Sequence, residues 1–421
     1  MIDWKNARDK LGLSKTKYRF YFGDYTYEDF SKAGIATKLP MSRVGWGRRA
    51  IEMRANKTHF DCFENDELKL NEIMQKYHIR EAFEKVKEDV LVAGTGFLAL
   101  AGDRVLPFTA CEATGTYDWN DFNLKEGFAI FSDTAKRPSY TRLPELPDYF
   151  VEYYKDQTIV HQKDQEDKII DNITGRPLIG LLTYHSTARR PFGYSVLSKP
   201  ARDAIVDASR TIRQAMISAY HYNSKVDLIL GVDNETAVDK IDSQTGDVLK
   251  IGTNANGQIP QVGEFAQHAL QPFTDTILMA ARNFCSATKL NLVNLGISTD
   301  APQSKESLEI VGDDLKDDIV AWEHELGEQL KYFAFTIWLK EQGLSADKID
   351  DNIREKYNNT IPVWLSVYHA DLSKFGDGLN KLAQDIPAIL KARSVWREIG
   401  LSSSEIDNLI NSIDDNQLVV K

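Results

Sequence analysis

The chain has 421 residues, of which 42% are hydrophobic and 27% charged, and this globular balance excludes a mostly disordered polypeptide. Its 51 Lys and Arg against 62 Asp and Glu give a net charge of -11, which argues against tight binding of nucleic acid over the whole surface. The three cysteines, Cys62, Cys111 and Cys285, form no CxxC pair, so we expect reduced thiols and an intracellular setting. No run approaches the roughly 20 apolar residues of a membrane span, so we expect no membrane partner.

The first 190 residues predict an α+β region, with helix first and sheet after. One helix is expected from about residue 66 to residue 91, although its apolar stripe slips between Tyr77 and Ile79. Gly94 is expected to end this helix. The strands predicted after it are 97–100, 127–131, 149–154, 158–162 and 178–185.

Apolar residues at steps of three and four predict two long helices in the middle of the chain. The first runs from an N-cap at Ser195 to about Asn223, with alanine on a stripe that permits close helix packing. The second ends near Ala287 and contains Pro272, which must start or kink it. Residues 225–264, between the two helices, predict short strands. The predicted packing positions on the first helix are Ala201, Ala208, Ala215 and Ala219.

A polar loop, residues 289–303, separates these helices from the longest one, which is expected over about 304–340. Its apolar stripe continues for about ten turns. Beyond it the sequence predicts a strand over 361–367 and a helix over about 376–391. A capping-box pattern from Ser402 to Glu405 predicts the start of the last helix.

The longest helix is acidic. Nine acids and three lysines between Ser304 and Lys331 give that segment a net charge of -6. Two interpretations stay open, a solvated face and a face that repels another polyanion. The paired acids at 313–314 and 317–318 are also a candidate Mg²⁺ site, although their i, i+4 spacing on one exposed face is more typical of a solvated flank.

Motifs for catalysis are missing from the sequence. There is no P-loop, no dinucleotide fingerprint, no HExxH and no GxSxG, and the eight histidines never pair at metal-ligand spacing. We therefore expect no cofactor and no metal site, and we favour a protein that is not an enzyme. A metal-dependent nuclease that uses the paired acids is the minor alternative.

Four stretches are informative as an ordered set. They are SRVGW (42–46) with RRAIEMR (48–54), EDVLVAGTGFLAL (88–100), PFGYS (191–195) before a long helix that ends near LGVD (230–233), and PQSKESL (302–308). Across about residues 40 to 400, this order resembles the portal proteins of tailed bacteriophages, of the compact type found in phages with long non-contractile tails. The chain departs from the family at two places. It has Gly-Tyr-Ser (193–195) where Gly-Arg-Ser is usual before the first long helix, and it has Pro272 in the second helix.

The resemblance implies a ring of about twelve subunits around an axial channel at one capsid vertex, through which double-stranded DNA is packaged and ejected. The implied partners are other copies of the chain, the terminase large subunit, a head-tail adaptor, and the major capsid and scaffolding proteins. DNA would be bound weakly and without sequence specificity, and the terminase would hydrolyse ATP. The implied location is the virion, after assembly in the host cytoplasm. Another head-morphogenesis or adaptor protein is the alternative.

The resemblance also divides the chain into a wing (1–194), stem helices (195–224 and 265–290), a clip (225–264), a tunnel loop (291–303), a tunnel-flanking helix (304–342) and a C-terminal wing or short crown (343–421). The residues implied to face DNA are Asn291, Asn294, Ser298, Thr299, Asp300 and Gln303. The implied channel-flanking acids are Glu306, Glu309, Asp313, Asp314, Asp317 and Asp318.

Overall fold

The computed structural model describes residues 4–27, 41–120, 122–131, 147–223, 227–230, 238–241, 248–251, 261–264, 270–297, 305–365, 372–397 and 399–419. The chain forms two compact units. The first comprises Met1–Tyr25, Gly45–Arg202 and Asn283–Lys421, and the second comprises Thr26–Val44 and Asp203–Arg282. No described helix combines the length and the apolarity needed to cross a bilayer.

The described elements make a mixed α+β protein. The N-terminal part contains α1 (Trp4–Gly12), α2 (Lys15–Phe22), α3 (Trp46–Ala55), β1 (Phe60–Glu64), α4 (Leu70–Lys76), α5 (Ile79–Ala93), β2 (Thr95–Ala101), β3 (Arg104–Thr109), β4 (Ala113–Asp118), β5 (Asn123–Ile130), β6 (Tyr149–Tyr153), β7 (Gln157–Gln162), β8 (Lys168–Asp171) and β9 (Ile179–Thr183). The middle contains α6 (Lys199–Asn223), β10 (Asp227–Leu230), β11 (Val238–Ile241), β12 (Val248–Ile251), β13 (Gln261–Glu264), α7 (Gln271–Thr288) and α8 (Lys305–Gln342). The C-terminal part contains α9 (Asp351–Asn359), β14 (Ile361–Trp364), α10 (Leu372–Asp385), α11 (Arg393–Arg397) and α12 (Ser403–Val419).

The described residues of the first unit form three antiparallel sheets, ordered β4-β5-β6-β7-β8, β3-β2-β9 and β1-β14. Helix α8 packs on β9, where the indole Nε1 of Trp322 donates a hydrogen bond to the Thr183 carbonyl oxygen over 3.0 Å. Gly180 in β9 permits this approach, because a Cβ there would lie 2.8 Å from the Phe333 ring. The fully buried Leu98, Leu182 and Phe333 belong to the core of this unit.

The single helix predicted over 66–91 is in fact two helices, α4 and α5. His78 separates them in the left-handed conformation, with φ +56°, at the point where the apolar stripe slips. Asp66 starts α4 by accepting the Leu70 and Asn71 amides, each over 2.7 Å. Gly94 ends α5 with φ +92° as the sequence predicts, and its amide donates to the Val90 carbonyl oxygen.

Helix α6 begins at Lys199, so the prediction of an N-cap at Ser195 is wrong. The Ser195 hydroxyl donates instead to the Val92 carbonyl oxygen over 2.5 Å and accepts the Leu197 amide over 3.0 Å. The bond to Val92 attaches the segment before α6 to the end of α5. Pro272 is the second residue of α7, where the missing amide proton costs no helical hydrogen bond, so this proline starts the helix.

The second unit contains two antiparallel strand pairs between long helices. Strands β11 and β12 pair from Val238↔Ile251 to Ile241↔Val248, inside the pair that β10 makes with β13. Short strands are therefore confirmed in this segment. In the same unit, Tyr27 donates its hydroxyl proton to the Ser42 carbonyl oxygen over 2.9 Å.

The C-terminal third begins with α8, which has 38 residues and confirms the prediction of a longest helix. The expected strand over 361–367 is described as the shorter β14, and the expected helix over 376–391 as α10 followed by a 3-10 turn, Pro387–Lys391. The capping box is confirmed, because Glu405 accepts the Ser402 amide over 2.8 Å and the Ser402 hydroxyl accepts the Glu405 amide over 3.4 Å.

Candidate functional site: the connector between two long helices

The predicted DNA-facing loop is described in part. Asn291 and Asn294 are half-buried in the segment that leaves α7, whereas Ser298, Thr299, Asp300 and Gln303 lie outside the described residues. We name residues 289–297 the connector, because they form the described part of the path from α7 to α8.

The connector is compact and makes its own hydrogen bonds. It leaves α7 with the Leu290 amide donating to the Cys285 carbonyl oxygen, and then forms a 3-10 turn, Val293–Leu295. Asn291 stabilises this turn by accepting the Asn294 amide on its side-chain oxygen over 2.7 Å. The Ile297 amide closes the segment on the Leu292 carbonyl oxygen.

Helix α3 holds the connector from one side. Arg49 donates from Nε to the Asn294 carbonyl oxygen over 3.1 Å, and the Trp46 and Phe284 ring centroids are 5.6 Å apart. Arg54 donates from Nη2 to the Thr288 carbonyl oxygen over 2.5 Å. Since the last carbonyl groups of a helix have no partner within it, this guanidinium caps α7.

Asp318 of α8 holds the same region from the other side. Its Oδ2 accepts Nε of Arg54 over 2.9 Å and the hydroxyl of Tyr184 over 2.6 Å. Its Oδ1 accepts Nζ of Lys289 over 2.7 Å and lies 2.8 Å from Nε2 of His185. We name these five residues the Asp318 cluster.

The cluster corrects the sequence interpretation of Asp318. A solvated, channel-flanking face was expected for it, but the residue is 2% exposed and its carboxylate contacts four donors. Asp314 and Asp317 are exposed, as a solvated face requires. For Glu306, Glu309 and Asp313 the structure describes the helical backbone alone.

The donors keep Asp318 ionised in spite of its burial. Desolvation by itself raises the pKa of this carboxyl group. The hydrogen bond from His185 and the charge of Arg54, followed by the bonds from Lys289 and Tyr184, outweigh desolvation and hold the pKa well below its usual range. Burial raises the pKa of the Tyr184 hydroxyl, so this group stays a donor. The cluster is therefore a buried anion with matched cationic partners.

A second acid of the predicted acidic face also bonds within the protein. Glu325 accepts the Thr183 hydroxyl over 2.6 Å and the Ser186 amide over 3.0 Å on the same oxygen. Gln329 accepts the Thr183 amide over 2.9 Å. The helical spacing of Asp318, Trp322, Glu325 and Gln329 was a signal in the sequence that these side chains share one face. That face binds the end of β9 and the residues after it.

The four predicted stem-packing alanines differ in burial. Ala201, in the first unit, is fully buried, and so is Ala208 in the second unit. Ala215 and Ala219 are half-buried. Small side chains thus occur at closely packed positions in the first part of α6, and its later turns are more open within a single chain.

The cluster also bears on the nuclease alternative. Both Asp318 oxygens accept bonds from cationic or hydroxyl donors, so this carboxylate has no oxygen left to bind Mg²⁺. Among the described residues, no three metal-ligating side chains come together.

Comparison with known proteins gives distant structural similarity and no match in sequence. No protein-family profile matches the chain, and no curated protein matches it. Among solved structures, the chain is similar to one described as the neck of a native GTA particle computed with C12 symmetry. The two chains are 13% identical with a TM-score of 0.44, over 94% of this chain and 98% of that chain. A likeness at this level assigns no function.

Proposed function

We propose that the chain is a phage portal protein. It assembles into a ring of about twelve subunits at one capsid vertex. Double-stranded DNA is packaged and ejected through the ring, and terminase and then head-tail adaptors dock on it. The observation that carries the proposal is the order of the middle elements: the 25-residue α6, two nested strand pairs, the 18-residue α7, the connector and the 38-residue α8.

Two of the family-like stretches, 88–100 and 191–195, contact each other in the structure. This contact supports a structural role for both stretches. A Cβ at Gly94 would lie 2.8 Å from the Tyr194 carbonyl carbon, and a Cβ at Gly193 would lie 2.4 Å from the Gly94 carbonyl oxygen. Both glycines also have positive φ angles, +92° at Gly94 and +70° at Gly193, which glycine adopts without steric cost. The glycines are therefore required by a close crossing of two backbones, and not by a bound ligand.

The charge of the predicted tunnel loop, residues 291–303, suits passage of DNA. Residues 291–303 contain no lysine or arginine, and Asp300 is their one formal charge. The lysine that precedes them, Lys289, is paired with Asp318. Because each cation that neutralises a phosphate tightens binding, a channel wall of neutral polar groups keeps DNA mobile.

Electron microscopy of the purified full-length chain in negative stain tests the proposal. We expect closed rings with a central hole at micromolar protein concentration. A population of single chains at every concentration would overturn the proposal. Small particles with Mg²⁺-dependent DNA cleavage would favour the nuclease. The strand pairs between α6 and α7 already argue against the other alternative, an adaptor with a similar helical middle.

A charge substitution tests the place of the loop in the channel. The double variant Asn294→Lys, Thr299→Lys would place a ring of cations against the phosphates, and many weak contacts act together in a ring. We expect rings to form and DNA packaging to slow several-fold at low salt, with relief at higher salt. The control is Asn358→Lys, Asn359→Lys, which adds the same charge at two exposed positions of α9. Packaging at the wild-type rate at low salt would remove the loop from the channel wall.

A further inference from the structure

We infer that the two carboxylate oxygens of Asp318 have different roles: Oδ2 completes the fold, whereas Oδ1 positions the connector through Lys289 and His185. Asp318 is in this sense a positioning residue for residues 289–297. The structural role of Asp318 is inferred from the geometry of the cluster alone. Only its consequence for DNA passage rests on the proposed function.

The partners of the two oxygens differ in exposure. Oδ2 binds Arg54, whose side chain is 1% exposed, and the buried Tyr184. Oδ1 binds His185 and Lys289, whose side chains are 32% and 53% exposed. Because water can solvate the outer donors, the bonds to Oδ1 can open without leaving a buried cation unpaired. If the bond from Arg54 to Oδ2 opened, the guanidinium would stay buried without an anionic partner.

The outer donors also share an uncommon backbone conformation. His185 has φ +51° and Lys289 has φ +53°, in the left-handed region that is uncommon for residues other than glycine and that lysine adopts less readily than histidine, asparagine or aspartate. Such conformations persist where surrounding contacts determine them. One carboxylate oxygen is the contact that both residues share.

The position of Lys289 gives this bond its effect. The residue follows the last residue of α7, so its backbone sets the direction in which the chain leaves the helix. The turn beyond it is closed by bonds within residues 291–297, and the described bond from that turn to another element is the one from Arg49 to Asn294. Hydrogen bonds thus hold the connector at Lys289 and at Asn294, and the buried side chain of Leu290 lies between these two points in the sequence.

Two substitutions at one residue separate the charge from the backbone. Lys289→Asn keeps a side chain that tolerates the left-handed conformation but removes the ammonium group. Lys289→Arg keeps the positive charge. Lys348→Asn is the control, since it removes an exposed lysine from the turn Ala346–Lys348, none of whose residues is a member of the Asp318 cluster.

Hydrogen exchange of the full-length chain, followed by mass spectrometry, measures the outcome. In Lys289→Asn we expect the amides of residues 294–297 to exchange at least tenfold faster, while those of β2 and of the second half of α8 keep wild-type rates. Lys289→Arg and Lys348→Asn should exchange like the wild type. Unchanged exchange at 294–297 in Lys289→Asn would overturn the inference. An equal increase across the whole first unit would also overturn it, because Lys289 would then serve general stability.

The exchange experiment requires neither a ring nor DNA. Its result is therefore independent of the proposed function, which ring formation tests. If rings form and exchange rises as expected, the Lys289→Asn ring should also package DNA more slowly than the Lys348→Asn ring at equal salt.

Discussion

Asp89 of α5 and Asp318 of α8 are two carboxyl groups within the first unit, and their pKa values shift in opposite directions. Desolvation raises the pKa of Asp89 to about 7, with a smaller opposing effect from a hydrogen bond to Tyr18 and further increases from Glu112 and Glu88. Desolvation acts on Asp318 in the same sense, but its donors hold the pKa below the usual range.

The difference lies in the partners, not in burial alone. Asp318 faces the permanent cation of Arg54 at 2.9 Å, together with Lys289. The groups that act on the pKa of Asp89 are the neutral hydroxyl of Tyr18 and two carboxyl groups, those of Glu112 and Glu88. A guanidinium stays charged in a protein interior, so it determines the protonation of the acid next to it. One site is thus a permanent ion cluster, and the other can titrate near neutral pH.

Removing the cation from the Asp318 cluster should have the largest effect. Arg54→Met leaves the Asp318 carboxylate without its buried partner and Thr288 without its cap. We expect a loss of about 3–5 kcal/mol of unfolding free energy at pH 7, measured by urea denaturation. The double variant Arg54→Met, Asp318→Asn should recover part of that loss, since it removes the uncompensated charge. A double variant less stable than Arg54→Met would contradict this account.

Neutralising Asp89 should have the next largest effect, with the opposite sign. The folded pKa of about 7 lies above the ordinary value of 3.8. Between these two values the folded protein keeps a proton that the unfolded chain has lost, so the free energy of unfolding falls as pH rises. Asp89→Asn should therefore be more stable than the wild type at pH 8, by on the order of 3 kcal/mol.

The pH profile of stability distinguishes the two aspartates. Asp89→Asn should lose much of the decline in stability between pH 4 and pH 7, whereas Asp318→Asn should keep that decline. The lowered folded pKa of Asp318 gives stability that is present above 3.8 and is lost only as pH falls below it. Equal slopes for wild type and Asp89→Asn would show that Asp89 is not the titrating group.

The sequence could predict those features of the fold that depend on residues close together in the chain. Local patterns were sufficient for the length of α8, the capping box at Ser402 and the end of α5 at Gly94, because each depends on neighbouring residues. The slip of the apolar stripe near Tyr77 was visible in the sequence, but we predicted one continuous helix across it, and the break at His78 was missed.

Interactions between distant segments could not be predicted in the same way. Strand β1 pairs with β14, which lies far from it in the sequence, from Phe60↔Trp364 to Glu64↔Ile361. Asp318 has the same i, i+4 spacing from Asp314 whether it faces solvent or Arg54, so periodicity alone assigned it to the solvated face. The donors that decide its role lie 264, 134, 133 and 29 residues away in sequence.

A matched pair of tyrosine substitutions tests the comparison at its smallest effect. Tyr184→Phe removes one donor from Asp318, at a cost of about 1–2 kcal/mol, and three donors remain. Tyr18→Phe removes the hydroxyl group that lowers the pKa of Asp89. Because no permanent cation takes its place, the pKa of Asp89 should rise further.

Carboxyl-carbon NMR titration of both aspartates measures the result in each variant. We expect the Asp318 signal of Tyr184→Phe to show no titration above pH 4, since Arg54 and Lys289 still hold the anion. The Asp89 signal of Tyr18→Phe should move to higher pH than in the wild type. If Asp318 began to titrate above pH 4 after loss of a single hydroxyl, its ionisation would depend on the number of hydrogen bonds that it accepts and not mainly on the charge of Arg54. The buried guanidinium would then not be the deciding partner, and the distinction between the two sites would be one of degree.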